Sequence, residues 1–193
     1  MFRLSFIVVI GSLLAACALP EGDQSSPSGV HYKWIHARAA GGVDAMWELL
    51  DPGVKKELER WLIAERLAID EIKTAYPKED ATAALAAMGG PERGEAGDPK
   101  ALFQLIVRPA PEAVGSLGAI AARVRSEEVA ADGSRATIRT FGGDEVTMVK
   151  GDDERWYATL SPQDLERLRN ARSLAEQNLA RVRANLKKLG RTQ

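Results

Sequence analysis

The sequence predicts an α+β fold in which helices come first, a four-stranded antiparallel sheet follows and a long helix closes the chain. Three observations predict it. Before Gly118, apolar residues recur three, four and seven positions apart, as on one face of a helix. Between Gly118 and Ser161 lie short runs rich in Val, Ile, Thr and aromatic residues, separated by glycine-containing turns. From Pro162 to Leu189 an amphipathic stripe continues for about four heptads.

The first helices are marked by start signals and by one glycine break. The chain is helical from Val30, and Gly41-Gly42 is a point of interruption. Asp51-Pro52 and Asp98-Pro99 each place a capping side chain before a proline at the first helical position. The helix after Pro52 carries a core-facing stripe made of Val54, Leu58, Trp61, Leu62, Ile69, Ile72 and Tyr76. We expect a shorter helix over residues 80–88 and an exposed loop over residues 92–99.

The strands are predicted as an antiparallel meander. The four runs span residues 120–129, 135–141, 145–150 and 155–160. Between them lie Ala131-Asp132-Gly133-Ser134, Gly142-Gly143 and Gly151-Asp152-Asp153, which are typical of hairpin turns. Ile138 and Thr140, like Val146 and Met148, follow the period of two that puts side chains on one face. That face is expected to cover the helices.

The last helix has a clear start and an ambiguous partner. Ser161 is its predicted cap, Pro162 is its first residue and Gly190 lies just past its end. Its stripe consists of Leu165, Leu168, Arg172, Ala175, Leu179, Val182, Leu186 and Leu189. The stripe can pack on helices of the same chain, or pair with a second copy or a partner helix as in a coiled coil. Arg172 and Ala175 weaken a dimer seam, so intramolecular packing is favoured, with part of the helix projecting.

Composition bounds the function classes. The 193 residues include 26 basic and 27 acidic side chains, for a net charge of −1. Since basic and acidic residues are interspersed, the sequence has no cluster of basic residues that could bind phosphates. Nucleic acid is therefore not an expected partner. The single cysteine excludes an internal disulfide.

That cysteine follows a segment with the layout of a secretory signal. Arg3 precedes a short apolar run, and Ala15-Ala16 leads directly to Cys17. Leu14-Ala15-Ala16-Cys17 resembles the lipobox of bacterial lipoproteins, which are cut before the cysteine. The resemblance implies a diacylglyceryl thioether and an added acyl group on Cys17, which together anchor a protein to a membrane. The alternative is a secreted protein in which Cys17 lies near the cleavage site by chance.

The resemblance also bears on location and organisation. Ala18 stands where an aspartate would act as the inner-membrane retention signal, so the outer membrane, facing the periplasm, is favoured. We expect a signal peptide over residues 1–16 and a lipidated cysteine with a flexible tether over residues 17–29. The tether, rich in Pro, Gly and Ser, would reach about 20 Å. An α+β domain over residues 30–160 and a C-terminal helix over residues 161–190 would follow.

Two segments of the predicted domain resemble the NTF2-like family. They are Ala45-Met46-Trp47-Glu48-Leu49-Leu50-Asp51-Pro52 and Glu154-Arg155-Trp156-Tyr157-Ala158-Thr159-Leu160. The resemblance implies a bent sheet wrapped around helices as a cone, often with an apolar pocket. The sequence departs from the family pattern in having no clear strand between the first two helices and in its long final helix.

Chemistry-bearing constellations are sparse. His31 and His36 lie five residues apart, whereas a zinc site on a helix needs a spacing of three or four, so we expect surface or half-buried histidines. Asp152-Asp153-Glu154 is more typical of a solvated turn than of a calcium loop. The aromatic residues Trp47, Trp61, Trp156 and Tyr157 are expected to fill the core rather than to line a pocket. We predict no catalytic residues, cofactor or metal.

These features favour a non-enzymatic, membrane-anchored binding or scaffolding module. One alternative is an enzyme or small-ligand binder with an NTF2-like pocket, where a buried Asp or Glu would act as general base. Another is partner binding or self-association through the C-terminal helix. An acidic side chain inside an open apolar cavity would favour the first alternative.

Overall fold

The computed structural model describes residues 19–88, 93–107 and 116–190. The predicted signal peptide and Cys17 lie outside these residues. The elements of the described chain are, in order, α1 (Pro27–Ala39), α2 (Val43–Leu49), α3 (Pro52–Ala75), α4 (Lys78–Ala87), α5 (Pro99–Ile106), α6 (Ser116–Ala121), β1 (Val124–Val129), β2 (Arg135–Thr140), β3 (Glu145–Lys150), β4 (Trp156–Ala158) and α7 (Pro162–Lys188). The predicted α+β class, with helices first, then a sheet, then a long helix, is confirmed. Within the described part of the chain, no helix combines the length and apolar character needed to cross a bilayer.

Local signals fix several helix ends. The Asp98 carboxylate accepts from the Ala101 amide at 2.7 Å, and the Ser161 hydroxyl accepts from the Asp164 amide at 3.1 Å. Both residues precede a proline, as predicted. The predicted interruption at Gly41-Gly42 also occurs, since α1 ends at Ala39 and Gly41 has a φ of 66°.

The sheet is an open antiparallel meander with strand order β1-β2-β3-β4. Glycines close two of its turns in the left-handed region, Gly133 with a φ of 70° and Gly143 with a φ of 90°. The strand predicted from residue 120 begins only at Val124, because Ser116–Ala121 forms helix α6. Alanine-rich sequence favours a helical turn there, and the Ala122 amide donates to the Gly118 carbonyl at 2.9 Å.

Contacts divide the described chain into two compact units. The sheet unit contains residues 19–51 and 116–159, and the helical unit contains residues 52–88, 93–107 and 160–190. Within the helical unit α3 packs with α7. The domain over residues 30–160 followed by a C-terminal helix stays a prediction. The sequence shows the apolar stripe of each helix but not which stripes meet.

The core of the sheet unit lies between α1 and one face of the sheet. Its buried members are Val30, Ala136, Ile138, Met148, Trp156 and Ala158, and Trp34, Val124 and Val146 pack against them. The prediction that this face of the sheet covers the helices therefore holds for α1. On the opposite face, Arg139 forms exposed ion pairs with Glu128 at 3.2 Å and Glu145 at 3.0 Å. Exposed pairs of this kind add little stability.

The helical unit is built on a parallel pair of helices. Arg172 Nε lies 2.9 Å from Glu57, and Arg183 Nε lies 2.8 Å from Glu71, so α3 and α7 run in the same direction. Ala68 and Ile72 of α3 form one cluster with Val182 and Leu186 of α7. Leu168 and Ala175 are also buried, at heptad spacing from Val182. The stripe of the last helix thus packs intramolecularly, as favoured from the sequence.

Candidate functional site

The residues that follow the predicted lipidated cysteine pack on the sheet unit. The Trp156 amide donates to the Gln24 carbonyl at 3.0 Å, and Gln24 Nε2 donates to the Trp156 carbonyl at 3.2 Å. These two bonds attach residues 20–26, which we call the N-terminal segment, to β4. Asp23 Oδ1 accepts from the Ser25 amide and hydroxyl, and the hydroxyl bond is the larger cause of a lowered pKa at Asp23. Ser26 then caps α1 by accepting from the Gly29 amide at 3.1 Å.

Two glycines allow this segment to approach α1 closely. A Cβ added to Gly29 would lie 2.5 Å from the Asp23 carbonyl oxygen, and one added to Gly22 would lie 2.2 Å from the Gly29 carbonyl oxygen. Gly22 also has a φ of 70°. Glycine therefore serves close backbone packing here rather than flexibility. The described part of the predicted tether, residues 19–29, is attached to the fold, and α1 already begins at Pro27.

Replacing Gly29 by alanine is expected to displace the N-terminal segment while leaving the sheet folded. The new methyl group would overlap backbone atoms of Asp23, which cannot rotate away as a flexible side chain can. Hydrogen exchange should then accelerate at residues 20–26 and at the Trp156 amide. Gly97→Ala is the matched control, since nothing lies within 4 Å of its added Cβ. Unchanged exchange at residues 20–26 in the Gly29 variant would contradict this packing.

The two histidines hold different parts of the sheet unit together. His36 is exposed, and its Nε2 donates to the Pro20 carbonyl at 2.9 Å, so it binds the start of the N-terminal segment. His31 Nε2 donates to the Ala122 carbonyl at 2.8 Å, at the end of α6. The expectation of a surface or half-buried residue fits His36 and is wrong for His31, which is 3% exposed. Among the described residues, no group of three His, Cys, Asp or Glu side chains is placed to hold a metal.

Burial of His31 makes the stability of the sheet unit depend on pH. Desolvation lowers the pKa of His31 below its ordinary value of 6.5, against smaller opposing effects of the Ala122 carbonyl and of Asp144. The unfolded chain therefore takes up a proton first, and stability present above pH 6.5 is lost as the pH falls towards the folded pKa. We expect urea unfolding to show lower stability at pH 5.5 than at pH 7.5. His31→Gln, which keeps a donor for Ala122, should flatten this dependence, and an unchanged slope would contradict the assignment.

The acidic turn is a structural feature, as predicted. The Tyr157 hydroxyl donates to Asp153 Oδ2 at 2.7 Å, which is the main cause of a lowered pKa at Asp153. Glu154 has a φ of 66° and pairs with Lys150 across the turn. These carboxylates are therefore used within the hairpin.

Three of the four aromatic residues predicted to fill the core are buried. Trp61, Trp156 and Tyr157 are each less than a tenth exposed, and Trp47 is half-buried. Trp156 belongs to the core between α1 and the sheet. The interpretation as core rather than pocket lining fits these positions.

Glu65 is a buried carboxylate that sequence reasoning did not single out. It is 5% exposed, and Trp61 Nε1 donates to its Oε1 at 3.1 Å. Arg93 lies over the Trp61 ring, with Cζ 5.8 Å from the centroid. The sequence does indicate this burial, because Glu65 lies seven residues after Leu58 and seven before Ile72, two buried members of the predicted stripe.

A neighbouring arginine orders the segment before α5. Arg66 donates to the carbonyls of Gly94, Ala96 and Gly97, with the Gly97 bond at 2.6 Å. Gly94 and Ala96 are buried. The expectation of an exposed loop is therefore wrong for these two residues, because the chain folds back to satisfy the guanidinium.

The two segments that suggested an NTF2-like domain meet in the sheet unit. Leu50 forms a single parallel bridge with Ala158, and the Asp51 amide donates to the Ala158 carbonyl at 2.9 Å. The Thr159 hydroxyl donates to Asp51 Oδ2 at 3.0 Å. Leu50 therefore adds one extended residue next to β4, in a region where no strand is predicted from the sequence.

The fold defines an α+β protein with an open four-stranded sheet in one unit and a parallel helix pair in the other. Comparison with known proteins finds no match among protein families, curated proteins or solved structures. Function must therefore be inferred from the residues themselves.

Proposed function

We propose that the chain is the precursor of a bacterial lipoprotein, anchored through lipid on Cys17 and acting as a non-enzymatic binding or scaffolding module. The observation that carries the proposal is the position of the single cysteine of the chain, directly after Leu14-Ala15-Ala16. Ala18 favours the outer membrane, facing the periplasm. Two or more acyl chains give stable anchoring, because a single chain binds a membrane only reversibly.

The buried polar groups support a structural rather than a catalytic role. In the described residues these are His31, Glu65 and Thr140. His31 donates to Ala122, Glu65 accepts from Trp61, and Thr140 Oγ1 accepts from the Asp144 amide at 3.1 Å. Each therefore has a partner inside its own unit, as buried polar groups do when they hold a fold together.

The NTF2-like alternative would require an acidic general base in a pocket of the sheet unit. The contact of Leu50 and Asp51 with Ala158 favours this resemblance. The buried acid Glu65, however, belongs to the helical unit and is bonded to Trp61. A non-enzymatic binding module with an NTF2-like arrangement of the sheet unit is consistent with the contact at Ala158 and with the position of Glu65.

The coiled-coil alternative would use the stripe of α7. Leu168, Ala175, Val182 and Leu186 are buried, and the last two pack on α3. A partner helix would have to displace α3 to use them. Leu189, which caps the end of α7 and is the last member of the stripe, is exposed, and Leu174 is exposed outside the stripe.

The anchor is tested by comparing Cys17→Ser with Ala18→Asp. Expressed from the full chain in a bacterial host, Cys17→Ser should move from the detergent-rich to the aqueous phase on detergent partitioning. Ala18→Asp is the matched control, since it leaves the acceptor thiol intact, and it should remain in the detergent-rich phase. It should also shift from outer-membrane to inner-membrane fractions. Detergent partitioning of Cys17→Ser like that of the parent would contradict the proposal.

A further inference from the structure

Contacts between α1 and β1 set the direction of α1 along the sheet. The Ser28 amide donates to Glu127 Oε2 at 3.1 Å, and the Val124 amide donates to the Tyr32 hydroxyl at 3.1 Å. As α1 proceeds along the chain, its contacts move back along β1 towards the first residue of that strand. The C-terminal end of α1 therefore points to the edge of the sheet where β1 begins and where β2 turns into β3.

The two elements that meet at this end of the sheet unit, α6 and the β2–β3 turn, carry exposed apolar side chains. The Phe141 amide donates to the Arg123 carbonyl at 2.9 Å, and the Gly142 amide to the Ala121 carbonyl at 2.7 Å, so the β2–β3 turn abuts the end of α6. Leu117 is 82% exposed, Ile120 46% and Phe141 63%. We refer to Leu117, Ile120 and Phe141 as the apolar tip. Clusters of exposed large apolar side chains mark interaction surfaces.

The N-terminal segment leaves the sheet unit at the same end. Pro20 is bound to His36, which lies one helical turn, about 6 Å, beyond Tyr32 in the direction of the apolar tip. From Pro20 only three residues remain to Cys17, a span of at most about 10 Å. Because residues 20–26 are attached to the fold, the lipid chains would be held close to this end and not at the end of a long tether.

We infer that the apolar tip rests on the lipid bilayer, so that the sheet unit is held end-on by two contacts, the lipid on Cys17 and the side chains of the tip. This inference rests on the proposed lipidation of Cys17. Apolar side chains inserted at the headgroup boundary bind in proportion to the apolar area they bury. The lipid anchor removes most of the entropic cost of that insertion, since it keeps the tip at high effective concentration.

The test measures which end of the sheet unit contacts lipid. Leu117→Cys and Val129→Cys are made in the lipidated protein, whose Cys17 sulfur is blocked, and each new thiol is labelled with an environment-sensitive dye. Val129 is also an exposed aliphatic residue, 46% exposed, but lies five residues along β1 from Val124, about 17 Å away. In vesicles of phosphatidylethanolamine and phosphatidylglycerol with brominated acyl chains, quenching at residue 117 should exceed that at residue 129 several-fold. Phe141→Cys provides a second probe of the tip and should behave like Leu117→Cys.

Vesicle flotation separates this inference from the proposed function. If the protein floats with the vesicles and both ends are quenched equally, the anchor stands and the end-on arrangement is overturned. Stronger quenching at residue 129 would also overturn it. If the protein purified from membranes does not float, lipidation itself is wrong and the inference fails with it.

Discussion

Deletion of residues 165–193 is expected to unfold the helical unit instead of removing a projecting handle. The deletion takes away Leu168, Ala175, Val182 and Leu186, which are all buried, and exposes Ala68 and Ile72 of α3. Loss of a single buried leucine costs about 2–5 kcal/mol. Since a whole domain is stable by only about 5–15 kcal/mol, the remaining helices cannot compensate. Circular dichroism should show a helical loss larger than the deleted residues account for, and α3 amides should lose protection from hydrogen exchange.

Point variants on the same helix provide the matched control. Leu186→Ala should destabilise the unit by about 2–5 kcal/mol, whereas Leu189→Ala should change stability by less than about 0.5 kcal/mol. Leu186 is 6% exposed and Leu189 is 50% exposed. A truncated chain that keeps a protected α3 and loses only association with another protein would contradict this packing and favour the coiled-coil alternative.

The second large effect is expected at the Trp61–Glu65 pair. Trp61→Phe keeps an aromatic ring in the core but removes the N–H that donates to Glu65 Oε1 at 3.1 Å. A buried acceptor left without its donor costs about 1–3 kcal/mol. We therefore expect denaturant unfolding to show a loss of that size.

A double-mutant cycle tests whether this loss comes from Glu65. In a Glu65→Leu background the unpaired carboxylate is absent, so Trp61→Phe should cost much less than it does in the parent. Replacing both partners with apolar groups of similar shape is close to neutral in such cases. Equal costs of Trp61→Phe in the two backgrounds would show that the bond adds no stability and that packing of the indole ring accounts for the loss.

Local signals in this sequence predicted local structure well. Asp98 and Ser161 were predictable as caps because a short polar side chain before proline satisfies free amides within one turn. Gly143 was predictable as a turn residue because its positive φ costs glycine little. For Ile120 the sequence predicts a strand, because a short apolar run has the same pattern in strands and in helices. Only the surrounding alanines favoured α6.

Features that depend on contacts between distant residues could not be predicted. Residues 20–26 have the composition of a flexible linker, yet Gly29 lets them approach α1 and Trp156 binds Gln24 across 132 positions of the chain. His31 is buried and bonds to the carbonyl of Ala122, directly after α6, a helix that the sequence does not predict. The pairing of α3 with α7 depends on two stripes separated by the whole sheet. The lipobox, by contrast, consists of the adjacent residues Leu14-Ala15-Ala16-Cys17, so the lipid anchor can be proposed from the sequence alone.

The mass of the mature N-terminal peptide shows whether Cys17 carries lipid. The protein is isolated from membranes of a bacterial host, digested, and its most N-terminal peptide is measured by mass spectrometry. We expect a peptide that begins at Cys17 and carries a diacylglyceryl group on sulfur, with a further acyl chain on its amino group. A peptide with a free, unmodified Cys17 thiol, or a mature chain that begins at a different residue, would contradict it.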